Sequence, residues 1–553
     1  MSKVAGRVVI ALILIILFNT RQQAFADNPK YEIRAVWLTT NYGLDWPKRS
    51  ASTPAAVEKQ KRELCRMLDI IKDMNLNTVF FQARLRSDVL YDSKYEPYNS
   101  VITGTRGKTP LYDPLAFAIE ECHKRGLQCH AWVVCMNVGK AEVVKKQGAA
   151  SLPSKFPDMC ILYKGEWYLN PGVPQTRDYL VGIVREIVEN YGVDGIHLDY
   201  IRYPDRAADF PDRAFYNKYA TAGEALSAWR INNVNRIVYG IYDAVKGYDP
   251  HIQVSSAVLG KRNRLPNFSS FGWSGIEAAY QDAAAWMKNG KHDFVAPMLY
   301  YSDRSFYPFL KDWVANSNGC PIVAGLGAYR LLGSEGDWSL SDFMPQIYLG
   351  RHFGASGTAF YRMQQLVENT KSLSMQLQCE TYCTPALFPA MKNSVGKLLT
   401  APRSLQISCD GDMQTVSWNG VKGAKYYTLY ASETYPVDTK TAANIVEPRF
   451  MDNSYTVRFR PLYYAVTATD GFYRESSAVQ QQLPLLHFKE GEYIKLPADK
   501  LSPCDKVMVY NSFNRPVYDG VCVDDMIDPL QHGVYSLRLV YKDKVMVYPL
   551  IIN

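Results

Sequence analysis

The run Val193-Asp194-Gly195-Ile196-His197-Leu198-Asp199-Tyr200-Ile201-Arg202-Tyr203-Pro204 concentrates more chemistry than any other stretch of the chain. Strand alternation puts Ile196 and Leu198 on one face, and His197 and Asp199 on the other. Asp199 then closes the strand, where a carboxylate is held rigidly. Cleaving a glycosidic bond needs two acids: one faces the developing oxocarbenium charge, and a protonated one gives the leaving oxygen its proton. His197 and Arg202 are near enough along the chain to keep Asp199 ionised or to bind substrate hydroxyls. The plainer alternative is a structural carboxylate that caps a loop or pairs with Arg202.

Other residues qualify by type and place. Trp37, Trp132 and Tyr300 fall in strands or at strand ends, where flat rings suit the C–H faces of sugars; core packing is the competing role. Arg84 and His130 are polar choices for strand positions, candidates to hold carboxylates or bind hydroxyls. Asn170, in Asn170-Pro171-Gly172, is a substrate-binding candidate that turn chemistry explains equally well. No G-x-S-x-G or H-E-x-x-H string occurs, and no Cys/His set has metal-site spacing. No metal or other cofactor is expected, which disfavours a metal-dependent deacetylase.

These residues need elements to position them. From residue 31 to about 375, short apolar β-rich runs alternate with amphipathic stretches of helical period, the pattern of parallel strands buried on both faces. The strands are read at Ile33 to Thr39, Thr78 to Ala83, Cys129 to Val134, Gly195 to Asp199, Gln253 to Ala257, Phe294 to Met298, Ile322 to Leu326 and Gly357 to Tyr361. Helices include Pro54 to Asp73, Pro114 to Arg125, Gln175 to Tyr191 and Leu340 to Phe353. Asp113-Pro114 marks one helix start, an N-cap followed by Pro at the first helical position. Eight such units predict an α/β fold, a (β/α)8 TIM barrel. An open doubly wound sheet would want a glycine-rich phosphate loop after the first strand, and Thr39-Thr40-Asn41-Tyr42-Gly43 is not one. The longest segments, 84–112, 135–174 and 200–215, all follow strands, and such loops line the catalytic mouth of a barrel.

The barrel domain is set at residues 31–383. A Pro-containing linker around 384–402 leads to alternating strands at Gln414 to Trp418, Lys425 to Tyr430 and Tyr463 to Thr469, an all-β sandwich over 400–485 that resembles a fibronectin type III module. A further small β-domain is read at 487–553. Residues 1–26 look like an address: Lys3 and Arg7, an apolar run from Val8 to Phe18, then Ala24-Phe25-Ala26 as a cleavage site. The apolar run is too short to span a bilayer comfortably. An exported chain, periplasmic or at the cell surface, with no stable membrane insertion, is expected. The formal charge of +8 includes Lys3, Arg7 and Arg21 of that leader, and so modest an excess does not suggest a nucleic-acid binder. Of the eleven Cys, Cys379 and Cys383 are spaced to bridge, whereas Cys122, Cys129 and Cys135 read as small buried hydrophobes.

The chain also resembles the glycosyl-hydrolase-like 10 family, barrel proteins that include hydrolases of denuded peptidoglycan strands. The matching stretches run in order: Arg34 to Thr39, Asn77 to Arg84, Ser87 to Tyr91, Glu96-Pro97-Tyr98, Thr103-Gly104, Tyr112 to Leu115, His123 to Gly126, His130-Ala131-Trp132, Leu169 to Gly172, the Asp199 run, and Pro297 to Tyr300. The resemblance implies a barrel acting on a bacterial glycan, with peptidoglycan glycan strands favoured among polysaccharide partners. It also makes Asp88, in the loop after the second strand, the first candidate for the second acid. Asp303, just past the sixth strand, is the next. Asp282 reads as a helix N-cap and Glu96 as a loop anchor. Two positions depart from the family pattern: Tyr200 stands where many members carry a second acid, and Met298 where Gln is common. The first keeps open an alternative, a non-catalytic glycan-binding protein using the same groove.

Overall fold

The computed structural model describes residues 28–268, 272–302, 305–410, 413–432, 436–458, 462–480, 486–495, 506–513, 515–520, 526–540 and 545–553. The leader read at 1–26 and Asp303 lie outside the described residues. The chain divides into two compact units, residues 1–394 and 395–553.

Eight parallel strands close the first unit into a barrel: β1 (Ile33–Leu38), β2 (Thr78–Leu85), β3 (Gln128–Val134), β4 (Gly195–Asp199), β5 (Gln253–Leu259), β6 (Phe294–Met298), β7 (Val323–Leu326) and β8 (Gly357–Phe360). Each pairs with its sequence neighbour, and β1 pairs with both β2 and β8, so the ring has no free edge. Helices cover the outside: α1 (Pro54–Asp73), α2 (Pro114–Lys124), α3 (Pro174–Asn190), α4 (Leu226–Tyr248), α5 (Ala283–Lys288), α6 (Tyr307–Ala315), α7 (Pro345–His352) and α8 (Met363–Val367). Their starts follow local chemistry. Thr53 and Asp113 accept hydrogen bonds from Ala56 N and Ala116 N, and each is followed by Pro, which has no N–H to leave unsatisfied. The single helix read at Leu340 to Phe353 is two, Leu340–Phe343 and α7. Pro345 is the cause: it lacks the N–H that would continue the ladder.

Alternation sorts the strands into two packing layers. Val36, Phe81, Val133, Leu198 and Val258 face the helices and join the main apolar core. The opposite positions fill the barrel with rings: Phe80 stacks on His197 with centroids 3.9 Å apart, and Phe294 lies 5.8 Å from His130. Two glycines make room for them. A Cβ on Gly195 would lie 2.5 Å from His130 Nδ1, and one on Gly325 would lie 3.2 Å from the Trp37 ring.

The second unit is all β. One three-stranded antiparallel sheet (Arg403–Asp410, Met413–Asn419, Ser454–Arg458) and one four-stranded sheet (Ile445–Phe450, Tyr426–Ser432, Tyr463–Thr469, Val479–Gln480) share a core of Trp418, Tyr427, Leu429, Tyr464 and Val466. A five-stranded sheet follows, in the order Leu486–Phe488, Val545–Ile552, Gly533–Val540, Lys506–Asn511, Pro516–Gly520. Among the described residues no helix is long and apolar enough to cross a membrane.

Candidate active site

Asp199 is the last residue of β4 and lies 5% exposed at the floor of a groove on the carboxyl side of the barrel. Both its oxygens accept hydrogen bonds: Oδ2 from Trp132 Nε1 at 3.0 Å, Oδ1 from the Tyr200 N–H at 2.7 Å. Burial pushes its carboxyl up to about 6, and the Tyr200 N–H, the Arg202 charge and the Trp132 N–H pull against that. A carboxyl so placed can release or take up a proton near neutral pH. Directly after it the chain turns through a left-handed residue, Tyr200 at φ 48°, uncommon for a bulky side chain.

The groove has a volume of about 400 Å³, within the roughly 300–1,000 Å³ range of ligand sites. Trp37, Trp132, Tyr168, Tyr200, Tyr300 and Tyr361 supply its aromatic walls. Tyr300 and Tyr361 stack at 5.7 Å and 23°. Trp37 is aimed from below, its Nε1 donating to His197 Nε2 at 3.0 Å. That bond makes Nε2 the acceptor, so the proton of this neutral imidazole sits on Nδ1, 2.8 Å from Ser255 Oγ. Burial holds His197 well below its ordinary value. At the rim, Gln82 Oε1 accepts from Thr39 Oγ1, Thr40 N and Asn41 N, fixing the loop after β1.

The long loop after β3 is folded, not slack. Asn137–Lys140, Glu166–Leu169 and Cys160–Tyr163 form a three-stranded antiparallel sheet, with a turn at Lys164 (φ 49°) and Gly165 (φ 82°). This sheet brings a second carboxylate to the groove. Glu166 Oε2 accepts from Asn137 Nδ2 at 2.9 Å and from the Tyr168 hydroxyl at 3.0 Å. A third, Asp205, also lines the groove and pairs with Arg202 at 2.7 Å. The sequence reading missed both. A trace of Glu166 was present: Gly165 takes the second turn position between two short runs rich in apolar and aromatic residues, Cys160–Tyr163 and Glu166–Leu169.

The profile of the glycosyl hydrolase-like 10 family matches residues 32–318, which includes β1 to β6 and most of the groove. Glycosyl hydrolase YngK of Bacillus subtilis (strain 168) is 30% identical over 477 residues, 81% of this chain and 92% of the relative. The chain belongs to the glycosyl hydrolase-like 10 family. It is a hydrolase of glycosidic bonds. Glycosyl hydrolase DigH of Escherichia coli (strain K12) is 28% identical over 359 residues, 60% of this chain and 81% of the relative. The PgaB (BpsB) glycoside hydrolase domain from Bordetella bronchiseptica superposes with a TM-score of 0.44 at 17% identity, covering 63% of this chain and 99% of that one.

Within this hydrolase the sequence candidates separate. Asp199, Trp37, Trp132 and Tyr300 line the groove together. Asp88 does not: its Oδ1 accepts from Arg106 Nε at 2.6 Å, an anchor formed 18 residues along the same loop. Burial pushes its carboxyl up to about 7 and the Arg106 charge pulls it back. His130 is fully buried in the ring-filled barrel interior, with Nε2 2.9 Å from Gln128 Oε1. His197 holds Trp37 and does not face the groove. Asn170 is fully buried and serves its turn, accepting from Gly172 N at 3.0 Å. Arg202 lies behind Tyr200, 4.7 Å from that ring, and acts on Asp199 only through its charge. Cys379 and Cys383 carry free thiols. Asp282 caps α5 through Ala285 N at 3.1 Å.

Arg84 proves structural. Its guanidinium is fully buried, bonded to both Glu96 oxygens at 2.5 and 2.8 Å, and it donates to the carbonyls of Val134 and Cys135 at the end of β3. The Tyr179 hydroxyl on α3 completes the set, 2.8 Å from Glu96. Removing one partner of such a pair strands a buried charge. Glu96→Ala is therefore expected to destabilise the barrel by about 3–5 kcal/mol, read by urea denaturation. A loss under about 1 kcal/mol would show that water reaches Arg84.

Proposed function

We propose that this protein is an exported hydrolase of a bacterial cell-wall or extracellular polysaccharide, with peptidoglycan glycan strands as its favoured substrate. The observation that carries the reading is a buried carboxyl, Asp199, under an aromatic groove whose rim supplies a second carboxylate, Glu166. Asp199 keeps its proton to about 6 because burial disfavours its charge, which suits the acid that protonates the leaving oxygen. Glu166, which accepts two hydrogen bonds on Oε2, suits the base that activates water. A proton donor and a separate carboxylate to activate water are the two groups the hydrolysis needs. The aromatic walls match the C–H faces of a sugar chain.

Export is supported by the basic, apolar and A-x-A pattern of the first 26 residues. The favoured substrate is supported by the family resemblance in the sequence. The β-sandwich of the second unit, fibronectin type III-like in its strand pattern, would hold the barrel near a polymer. Digestion of purified peptidoglycan, with and without its stem peptides, tests the substrate. The expected result is shorter glycan strands by mass analysis, with each cleavage adding one water. Intact strands in both preparations, alongside cleavage of another bacterial polysaccharide, would reject peptidoglycan.

A further inference from the structure

Three carboxylates line the groove, Asp199, Glu166 and Asp205, against one cation among its described lining residues, Arg86. Asp205 is already paired with Arg202. Arg86 is not so occupied. It donates one N–H to the neutral Asn41 Oδ1 at 3.2 Å and lies 4.9 Å from the Tyr42 ring; among the described residues no carboxylate pairs with it. A guanidinium has five N–H donors in a planar fork that matches a carboxylate. An arginine left in this state on a groove wall has binding capacity to spare.

Its backbone points the same way. Arg86 and Ser87 are the two central residues of a hairpin turn closed by the pair Leu85 and Asp88, with φ 55° and 57°. That turn relaxes with Asn-Gly or Gly-Gly, and the other groove-side hairpin does use glycine, at Gly165. Here neither residue is glycine, and the conformation is held from outside. Arg106 donates to Asp88 Oδ1 at 2.6 Å and to the Ser87 carbonyl at 3.5 Å, and Ser87 Oγ donates to the Val138 carbonyl at 3.4 Å. Backbone strain kept at a groove is a reason to ask what it positions. What it positions is a long cation that a relaxed Asn-Gly turn would not supply.

We infer that Arg86 reads a carboxylate carried by the substrate, so that the glycan this site prefers is an acidic one. The inference rests on the hydrolase reading and narrows it. Such a carboxylate comes either from a lactyl ether on an amino sugar, free only where no peptide is attached, or from a uronic acid. An uncompensated acidic polymer would meet the other carboxylates of the groove, Glu166 above all, with like charge, and Arg86 offsets that.

The full chain is assayed on two polymers, peptide-free peptidoglycan strands and a uronic-acid-containing glycan. Each is presented with its carboxylates free or converted to methylamides. The wild type is expected to favour the free form of one polymer by roughly ten- to hundredfold in kcat/KM, mostly through KM, and that polymer names the source. Arg86→Gln brings the ratio towards one, and Arg86→Lys keeps part of it, because an ammonium lacks the fork. Kd for the same glycans, measured on Asp199→Asn, should show the same ratio without turnover. A wild-type ratio near one, or one unchanged by Arg86→Gln, overturns the inference. Equal losses on free and amidated forms in Arg86→Gln would do the same, assigning Arg86 to the turn alone. Cleavage of either form by the wild type upholds the hydrolase reading independently, whereas cleavage of neutral glycans alone sinks the acidic-substrate inference.

Discussion

Asp199→Asn is expected to lower kcat/KM on a polymeric glycan by about 10²–10⁴-fold, the usual cost of losing a positioned proton donor. The expectation has a finer structure, because the proposed role is specific. A sugar leaving group departs as a poor alkoxide and needs the Asp199 proton. A nitrophenolate leaves without help, so the same variant should lose far less on an activated aryl glycoside. The pH profile follows with its sign. Burial raises Asp199 to about 6, and the protonated form is the working one. Wild-type kcat/KM on the polymer should therefore hold below that value and fall as pH rises through it, and the Asn variant should lack this limb. Asn accepts from only one of the two N–H donors, Trp132 Nε1 and Tyr200 N, so unfolding is measured alongside to separate misfolding from lost chemistry. Equal losses on both substrates, or a limb that falls on the acid side, would make Asp199 the ionised partner instead.

Much of the barrel could be read from residues because its strands are buried on both faces, so that β-branched runs stand out between amphipathic helices. β4 and β6 match their predicted limits, and the other ends move by one or two residues. Asp199 was legible for the same reason: alternation within five residues and the position at a strand end determine where it points. The interior histidines were not. Whether an inward side chain meets substrate or packs below it depends on its depth, and His197 and His130 lie beneath Trp37 and Trp132. Depth follows from strand tilt and stagger, which no single run of residues states. Asp88 failed differently. An acid over the groove and an acid tied to an arginine 18 residues away have the same local sequence. Arg86 was hidden because Arg-Ser is not a turn sequence, and its left-handed backbone is imposed by neighbours. Glu166 was missed because the segment after β3 was treated as a loop, when it folds as a small sheet.

Glu166→Gln is expected to lose about 10²–10⁴-fold on polymer and activated aryl glycoside alike, since both reactions need an activated water. That uniform loss separates it from Asp199→Asn. The amide oxygen of the substituted side chain can still accept from Asn137 or Tyr168, so the three-stranded sheet should stay folded. The stereochemistry follows from the roles. A base that activates a water opposite the acid is the inverting arrangement, in which the two carboxyls stand roughly 6.5–9.5 Å apart to leave room for that water. Proton NMR of the first-formed product should then show inversion at the anomeric carbon. Azide, which needs no base, should restore part of the Glu166→Gln rate on the aryl glycoside and yield a glycosyl azide of inverted configuration. A retained anomer would make the second carboxylate a nucleophile and not a base, and an inactive variant that azide does not help would move the base to Asp205, which shares the groove but is already spoken for by Arg202.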